Sequence, residues 1–143
     1  MKNAKVLVSI LNWNKSEETL ACLASLEPEL TLPNADVAVL VIDNGSNAED
    51  VAALESGIRH MNVALMKMPE NLGFAGGHNI SIRKAIQEGY DFIWLLNNDA
   101  LVAHGTLAKL LAEMACSPKC GAASPVIRHS EDDAAIEGCV NLH

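Results

Sequence analysis

The sequence predicts an α/β protein whose mostly parallel sheet is flanked by helices. Three observations lead to this prediction. Short apolar runs recur along the 143 residues, helix-type patterns separate them, and no low-complexity linker or internal repeat interrupts the alternation. Strands that alternate with helices in this way are joined by right-handed crossovers into a parallel sheet.

The first strand and helix are expected near the start of the chain. Residues 4–11, AKVLVSIL, form an apolar, β-branched run of strand length. A helix should follow over about residues 15–26, because Asn14 is a favourable N-cap and Glu17 can complete a capping box.

The second strand, second helix and third strand follow the same logic. Strand two is expected over residues 37–42, and strand three over residues 62–66. Ser46 and Glu49 again form a capping-box pattern, which predicts a short helix that extends to about Ser56.

The remaining elements begin after a glycine-rich segment. A helix is expected over about residues 74–88, with Gly89 as its C′ residue, and the apolar run that ends at Leu96 predicts strand four. A helix over about residues 105–115 and a short fifth strand over residues 122–127 complete the expected sheet. The four acidic residues beyond it are interpreted as a solvated loop: Glu131, Asp132, Asp133 and Glu137.

Composition excludes some classes of protein. Half of the residues are apolar and a fifth are charged, as in ordinary globular domains. The net charge of −8 argues against binding to a nucleic-acid backbone, but a nucleoside diphosphate remains possible because a metal or helix N-termini can neutralise it locally. No signal peptide or membrane-length apolar run is visible, so we expect a cytoplasmic protein, with peripheral membrane association left open.

The four cysteines do not indicate a metal or redox site. Cys22, Cys116, Cys120 and Cys139 form no C-x-x-C pair, and the five histidines form no zinc set with them. Buried free thiols are therefore expected.

Polar residues concentrate where three of the predicted strands end. Asn12, Trp13 and Asn14 follow strand one, residues 43–46 follow strand two, and residues 97–99 follow strand four. Ligands of open α/β sheets bind beyond the carboxyl ends of the strands. The sequence therefore predicts a binding crevice at this edge.

Each of these loops has two interpretations. Asp99, flanked by Asn97 and Asn98, has the oxygen ligands that suit a hard cation such as Mg²⁺, but an asparagine-rich turn is the alternative. Asp43 can accept a hydrogen bond from a ribose hydroxyl or a pyrimidine N3–H, or it can form an Asx-turn with Asn44 and Gly45.

The glycine-rich segment after strand three is a less specific indication of function. Gly73, Gly76 and Gly77 can form a helix entry, a close backbone approach to a ligand or a flexible flap. Their spacing is not G-x-G-x-x-G and they do not follow strand one, so a dinucleotide-binding fingerprint is not supported. His78 can reach a phosphate or simply face solvent.

Four motifs taken together resemble the nucleotide-binding half of inverting family-two glycosyltransferases, in particular their rhamnosyltransferase-like branch. In chain order they are VSILNWN, VIDNGSNAED, ENLGFAGGHN and FIWLLNNDALV. The resemblance covers residues 4 to about 127. It implies a Rossmann-like GT-A fold and transfer of a sugar, with inversion, from a nucleoside diphosphate that we expect to be UDP or dTDP.

The resemblance also implies roles for individual residues. Asp43 would recognise the base or ribose of the donor, with further donor-binding positions nearby and a divalent Mg²⁺ or Mn²⁺ ion held chiefly by Asp99. The expected donor-binding residues are Ser9, Asn12, Asn14, Asp43, Asn44, Gly73, Gly76, Asn79, Asn97 and Asn98. Of the DXD-like triplet only the last position is acidic, and Ser81 and His78 stand where many relatives have Gly and Asn.

The expected partners follow from the family. They are a nucleoside-diphosphate sugar and a saccharide or lipid-linked acceptor, used in cell-surface polysaccharide or glycoconjugate synthesis at the inner face of the membrane. Relatives usually continue into a second half with the acceptor site and general base, so residues 1–143 are expected to be a single domain truncated at the acceptor half. An apolar sheet edge after residue 127 could be covered by a second copy of the chain.

Other classes of protein remain as alternatives. The short chain could be a non-catalytic nucleotide-sugar binding module or a remnant that pairs with another chain. A receiver-type signalling domain is not supported. It would need paired acidic residues after strand one, where Asn12 and Asn14 stand, and a lysine after strand five, where Ser124 and Pro125 stand. A dehydrogenase is set aside because the first strand–helix turn lacks glycines.

Overall fold

The computed structural model describes residues 3–129 and 132–137. Two compact units make up the chain, residues 1–102 and residues 103–143. The predicted crevice loops all belong to the first unit. Glu131 and the last six residues, which include Cys139, lie outside the described residues, so the interpretations placed on them are not tested.

The first unit alternates strands and helices as predicted. Its strands are β1 (Ala4–Asn12), β2 (Ala35–Asp43), β3 (Val63–Lys67) and β4 (Phe92–Asn97). Its helices are α1 (Ser16–Leu26), α2 (Ala48–Ile58) and α3 (Gly73–Gln87), with a short 3-10 helix at Glu27–Glu29. The second unit contains α4 (Thr106–Cys116), β5 (Ile127–His129) and β6 (Asp132–Glu137).

The first four strands form a parallel sheet in the order β3-β2-β1-β4. Successive side chains of a strand point to opposite faces, so each strand contributes to two cores. Val8, Ile10 and Val41 pack with residues of α1 and α2 on one face. Leu7 and Leu40 pack with Ala85 of α3 on the other. The result is a three-layer unit with helices on both faces of the sheet.

Two helix starts differ from the prediction, because other side chains bond the first free amides of these helices. Asn14 is not the N-cap of α1: that residue is Lys15, and the Ser16 amide donates to Asp50 of α2 at 2.8 Å. Ser46 is not the N-cap of α2 either. Asn47 holds that position, and its side chain accepts from the Asp50 amide at 2.9 Å.

The predicted fifth strand was wrong in both position and pairing. Residues 122–126 form no strand, and β5 instead pairs antiparallel with β6 in a separate two-stranded sheet. Asp132, Asp133 and Glu137, interpreted as a loop, lie in β6. The parallel sheet therefore has four strands within the described part of the chain.

The cysteines follow the prediction in part. Cys22 is a buried free thiol, whereas Cys116 is exposed and Cys120 is half-buried. Burial raises the pKa of the Cys22 thiol to about 11, with a smaller contribution from the negative charge of Asp99. None of the helices in the described ranges is long and apolar enough to cross a membrane.

Candidate functional site at the carboxyl edge of the sheet

The strand order places a crevice between β1 and β4. The chain runs outward from β1 through β2 to β3 and then crosses back to β4, so the direction of winding reverses between β1 and β4. Such a reversal is where open α/β sheets bind ligands. A cleft of about 300 Å³ lies there, lined by Leu11, Trp13, Lys15, Phe74, His78, Asn97, Asn98 and Asp99.

Asp99 has a free carboxylate at this cleft. Its side chain is exposed and accepts no hydrogen bond from the described residues, whereas Asn98 donates to Thr19 Oγ1 at 3.1 Å. An asparagine-rich turn that only ended the strand would use its carboxylate to bond its own backbone. Asp99 does not do so, which leaves both oxygens available to a ligand.

A continuous chain of hydrogen bonds links the ends of β2 and β4. Asp43 Oδ1 accepts from Asn12 Nδ2 at 2.9 Å, and Asn12 Oδ1 accepts from Thr19 Oγ1 at 2.7 Å. Thr19 in turn accepts from Asn98. The buried Thr19 of α1 therefore connects two loops that the sequence predicted separately, and it carries no motif signal that could have revealed this.

Asp43 is placed behind the cleft instead of on its surface. Its side chain is 1% exposed, and its second oxygen accepts from the Ser46 amide at 3.2 Å. This bond is the predicted Asx-turn, and it coexists with the contact to Asn12. Each carboxylate oxygen retains one further lone pair that could accept from a ligand.

Asp50 is the residue of this region that sequence reasoning missed. It accepts from Asn12 Nδ2 and from the Ser16 amide, both at 2.8 Å, and so holds the start of α1 against α2. Partial burial acts to raise the pKa of Asp50, but hydrogen bonds from Asn12, Ser16 and Ser46 outweigh it and lower the pKa. Asp50 is therefore an ionised anchor for the loop after β1.

Asn14 also joins the first two loops. It adopts a left-handed backbone with φ of 53°, its amide donates to Ser46 Oγ at 2.8 Å, and its side-chain oxygen accepts from the Asn47 amide at 2.8 Å. Asparagine tolerates this backbone conformation better than most residues. Asn14 therefore fixes the course of the loop that carries Trp13 and Lys15 to the cleft.

Asn44 ties the second loop to the start of α3. Its side chain donates to Asn71 Oδ1 at 2.9 Å and to the Gly73 carbonyl at 3.2 Å, and it accepts from the Leu72 amide at 2.9 Å. Gly73 has a positive φ of 72°, as a glycine-rich helix entry requires. Asn44 and Gly73 thus shape the loop and do not line the cleft.

The other predicted residues of this segment are placed differently. A Cβ at Gly76 would lie 2.9 Å from Leu72 Cβ, and one at Gly77 would lie 2.3 Å from Leu11 Cδ1. These glycines therefore permit close packing, and Gly77 brings α3 against β1. Asn79 is exposed and is absent from the cleft lining.

Ser9 lies beneath the cleft in a second buried polar group. Its hydroxyl donates to Ser81 Oγ at 2.7 Å and lies 2.9 Å from His78 Nδ1. All three side chains are buried, and burial lowers the pKa of the His78 imidazole. His78 is the member of this group that reaches the cleft.

Three further residues line the cleft to which the sequence assigned no binding role, although Trp13 and Phe74 lie within the quoted motifs. Trp13 and Phe74 are 54% and 61% exposed, which is unusual for large aromatic side chains, and both line the cleft. Lys15 places a cation there, and its hydrogen bond to Glu18 at 2.8 Å raises its pKa. Exposed aromatic faces beside charged groups are typical of sites that bind a ring and an anion together.

The oxygen atoms at the end of β4 suit a hard divalent cation that takes most of its ligands from substrate phosphates and water. Asp99 offers a carboxylate, and the neighbouring Asn97 and Asn98 offer amide oxygens. The described residues contain no group of three His, Cys, Asp or Glu side chains that could enclose a metal. Mg²⁺ commonly binds through one or two carboxylates together with substrate phosphates and water, and this arrangement fits that mode.

Sequence comparison identifies relatives across most of the chain. The family described as Glycosyl transferase family 2 matches residues 7–138. An uncharacterized protein of Mycobacterium tuberculosis is 32% identical over 106 residues, which cover 74% of this chain and 35% of that protein. A galactofuranosyltransferase of Mycolicibacterium smegmatis is 26% identical over 132 residues, which cover 92% of this chain and 42% of the relative. The chain thus spans well under half the length of these relatives.

Solved structures share the fold. A mannosyltransferase from Pyrobaculum calidifontis, in complex with GDP-Man and Mn²⁺, superposes with a TM-score of 0.70 at 23% identity. The aligned region covers 90% of this chain and 37% of the mannosyltransferase chain. TarS of S. aureus, in complex with UDP-GlcNAc, gives a TM-score of 0.62 at 21% identity and covers 78% of this chain and 31% of its own. The predicted GT-A fold is confirmed by this likeness.

Proposed function

The chain belongs to glycosyl transferase family 2, and we propose that its cleft binds a nucleoside-diphosphate sugar for inverting transfer to an acceptor hydroxyl. The observation that carries the proposal is the Asp99 carboxylate at the crevice between β1 and β4, which accepts no hydrogen bond from the described residues. A carboxylate at that edge, with amide oxygens beside it, is suited to a metal–diphosphate group.

The residues on each side of the cleft would have different roles in sugar transfer. Negative charge builds on the departing diphosphate, and a divalent cation bound there stabilises that charge. Asp99 would hold the cation, with Asn97 and Asn98 beside it. Lys15 adds a positive charge on the opposite loop, and the faces of Trp13 and Phe74 would pack against the rings of the donor.

The remaining predicted residues would act from behind the cleft. Asn12, Asn14, Asp43 and Asn44 hold the loops in place, and Asp43 would offer its free lone pairs to a base or ribose donor. Ser9 acts through its contact with the buried imidazole. Among the segment 73–79, Gly73 and Gly76 would set the loop path, with Asn79 available at the helix surface.

The identity of the donor is proposed from two sources. Motif resemblance favours UDP or dTDP and a rhamnosyltransferase-like branch, whereas the solved neighbours carry GDP-Man in one case and UDP-GlcNAc in another. We propose a saccharide or lipid-linked acceptor, used at the cytoplasmic face of the membrane. Both uridine and guanosine donors must therefore be tested.

A binding panel tests the proposal. Thermal unfolding would be followed with UDP, dTDP, GDP and ADP, each with and without Mn²⁺ or Mg²⁺. A ligand at 100 times its dissociation constant stabilises a protein by about 2.7 kcal/mol, which corresponds to several degrees here. We expect a metal-dependent shift for at least one nucleotide, and its loss in Asp99→Asn.

One control variant and two refuting outcomes make the panel decisive. Asp91→Asn removes an exposed carboxylate before β4, remote from the cleft lining, and should keep the shift. No shift with any nucleotide would refute donor binding. An equal shift in wild type and Asp99→Asn would refute the proposed metal position.

A binding module without transferase activity is the second candidate. It is favoured by one observation: Asp99 is the sole carboxylate that lines the cleft within the described residues. Incubation with a radiolabelled nucleotide sugar and simple acceptors separates the two functions. Binding without any transfer or hydrolysis would favour the module, whereas release of nucleoside diphosphate would favour the enzyme.

A further inference from the structure

His78 contains an unsatisfied polar atom at the cleft. The side chain is 2% exposed and lines the cleft, yet its Nε2 has no hydrogen-bond partner among the described residues. Leaving a buried polar atom unpaired is destabilising, and natural proteins rarely do so without a functional reason. The position of this atom therefore points to a ligand.

Two serines determine what kind of ligand group Nε2 can bind. The single proton of the Ser9 hydroxyl is donated to Ser81, so the oxygen of Ser9 presents lone pairs to His78 Nδ1. In that arrangement the imidazole donates from Nδ1, and Nε2 of the neutral ring is then an acceptor. The reverse order, in which Ser81 donates to Ser9 and Ser9 to Nδ1, would make Nε2 a donor, and the tautomer measurement below separates the two. A phosphate, which only accepts, is not a suitable partner for an acceptor Nε2.

Phe74 packs against the imidazole. Its ring lies edge-on to His78, with centroids 4.6 Å apart and planes at 70°. Phe74 is the second residue of α3 and is itself 61% exposed. Because much of its ring faces solvent, a change of the Phe74 rotamer is the movement that would uncover Nε2 to a ligand.

We propose that His78 is a specificity-determining residue of the cleft, whose Nε2 accepts a hydrogen bond from a sugar hydroxyl of the bound donor. The hydroxyl belongs either to the transferred sugar or to the ribose of the nucleotide. The inference rests on the proposed function, because it requires a nucleotide sugar in the cleft. Lys15 and Asp99 are the charged groups that share the cleft lining, and each is suited to the diphosphate and its cation.

Two conservative substitutions separate the cleft-facing nitrogen from the buried one. His78→Asn keeps an amide near the position of Nδ1, so the contact with Ser9 survives while the group facing the cleft is lost. His78→Gln extends an amide toward the position of Nε2 and keeps an acceptor there. His78→Asn thus preserves the structural contact of His78, and His78→Gln preserves its proposed contact with the ligand.

The measurement is titration calorimetry with UDP, UDP-GlcNAc, GDP and GDP-Man in the presence of Mn²⁺. For the nucleotide sugar that binds wild type, we expect His78→Asn to lose about tenfold in affinity and His78→Gln to lose much less. Loss with the nucleotide sugar alone assigns the hydroxyl to the transferred sugar. Equal loss with the free diphosphate assigns it to the ribose, which a 2′-deoxy nucleotide would then confirm.

The outcomes distinguish this inference from the proposed function. If wild type binds neither these four probes nor dTDP in the presence of Mn²⁺, the proposed function is wrong and the inference falls with it. If wild type binds and His78→Asn binds equally well, the inference alone is overturned.

A spectroscopic measurement tests the acceptor role without any ligand. A long-range ¹H–¹⁵N spectrum of the histidine side chains should show His78 protonated at Nδ1 and unprotonated at Nε2. The opposite tautomer would contradict the inference. In Ser9→Ala the preference for Nδ1–H should weaken, because its acceptor is removed.

Discussion

Gly45 is the position where the turn after β2 is most sensitive to a single methyl group. Its φ is +77°, and a Cβ there would lie 2.6 Å from the Glu70 carbonyl carbon and 2.8 Å from the Asn71 nitrogen. Both atoms belong to the backbone, so no side-chain rotation can relieve the contact. Gly45→Ala must therefore displace the loop before α3.

The cost of this substitution can be worked out from its parts. A left-handed backbone costs a non-glycine residue about 1–2 kcal/mol. Displacing the loop also strains the hydrogen bonds from Asn44 to Asn71 and Leu72, and losing one of them costs about 1 kcal/mol. We expect a total of about 2–3 kcal/mol, or a fall of about 7–10 °C in Tm.

Gly89→Ala is the matched control. Gly89 has a similar φ of +67°, but a Cβ there would meet nothing within 4 Å. It should cost about 1–2 kcal/mol, from the backbone conformation alone. Urea unfolding of both variants measures the difference, which is expected near 1 kcal/mol from the strained hydrogen bond at Gly45→Ala. Equal destabilisation would refute the claim that the close approach of Glu70 and Asn71 governs this turn.

Three other substitutions or treatments have defined outcomes. Asp50→Asn should destabilise the protein at neutral pH. The difference in unfolding free energy from wild type should narrow as pH falls below 3.8, because the lowered pKa of Asp50 in the folded state contributes stability that is lost as the carboxylate is protonated. Urea unfolding between pH 3 and 7 measures this difference, and a constant difference would contradict the prediction. Gly77→Ala should push Leu11 into the cleft and weaken nucleotide binding by calorimetry more than it lowers Tm; unchanged affinity would argue against the cleft. A thiol reagent monitored by mass spectrometry should label the exposed Cys116 at once and the buried Cys22 only on unfolding, and early labelling of Cys22 would contradict its burial.

The sequence was sufficient for the strands because their apolar runs are nearly continuous. Val6 to Ile10 and Val39 to Ile42 are buried on both faces, as parallel strands between two helical layers must be. The capping residues were harder to predict. Asp50 is distant in sequence from the start of α1, whose Ser16 amide it binds, so a local pattern favoured Asn14 there. At α2 the cap is Asn47, one residue after the predicted Ser46.

The parts of the candidate site that lie at strand ends could be predicted from the order of strands and helices. Asn97 ends β4, and Asn98 and Asp99 follow it, so their place at the cleft follows from the parallel sheet alone. The contribution of α3 did not follow in this way. Only the packing of Gly77 on Leu11 brings His78 to the cleft wall, and only tertiary structure pairs its ring with Ser9.

The fifth strand shows the limit of local pattern. Residues 122–127 are apolar enough for a strand, but a strand also needs a partner with free backbone groups. The sequence does not specify that partner, and the observed pairing of β5 with β6 is a local hairpin-like arrangement. Short apolar runs near small or polar residues therefore predict a strand less securely than the long runs of the parallel sheet.

The central claim is that a metal–nucleotide complex binds at the carboxyl edge of the sheet beside Asp99. Paramagnetic broadening of backbone amide resonances by Mn²⁺, in the presence of the nucleotide identified by the thermal panel, locates that complex directly. We predict the strongest broadening at Trp13 and at residues 97–99, little effect at Ala4 and Ala35 at the opposite edge, and loss of the pattern in Asp99→Asn. Broadening centred elsewhere, or unchanged by Asp99→Asn, would contradict the account.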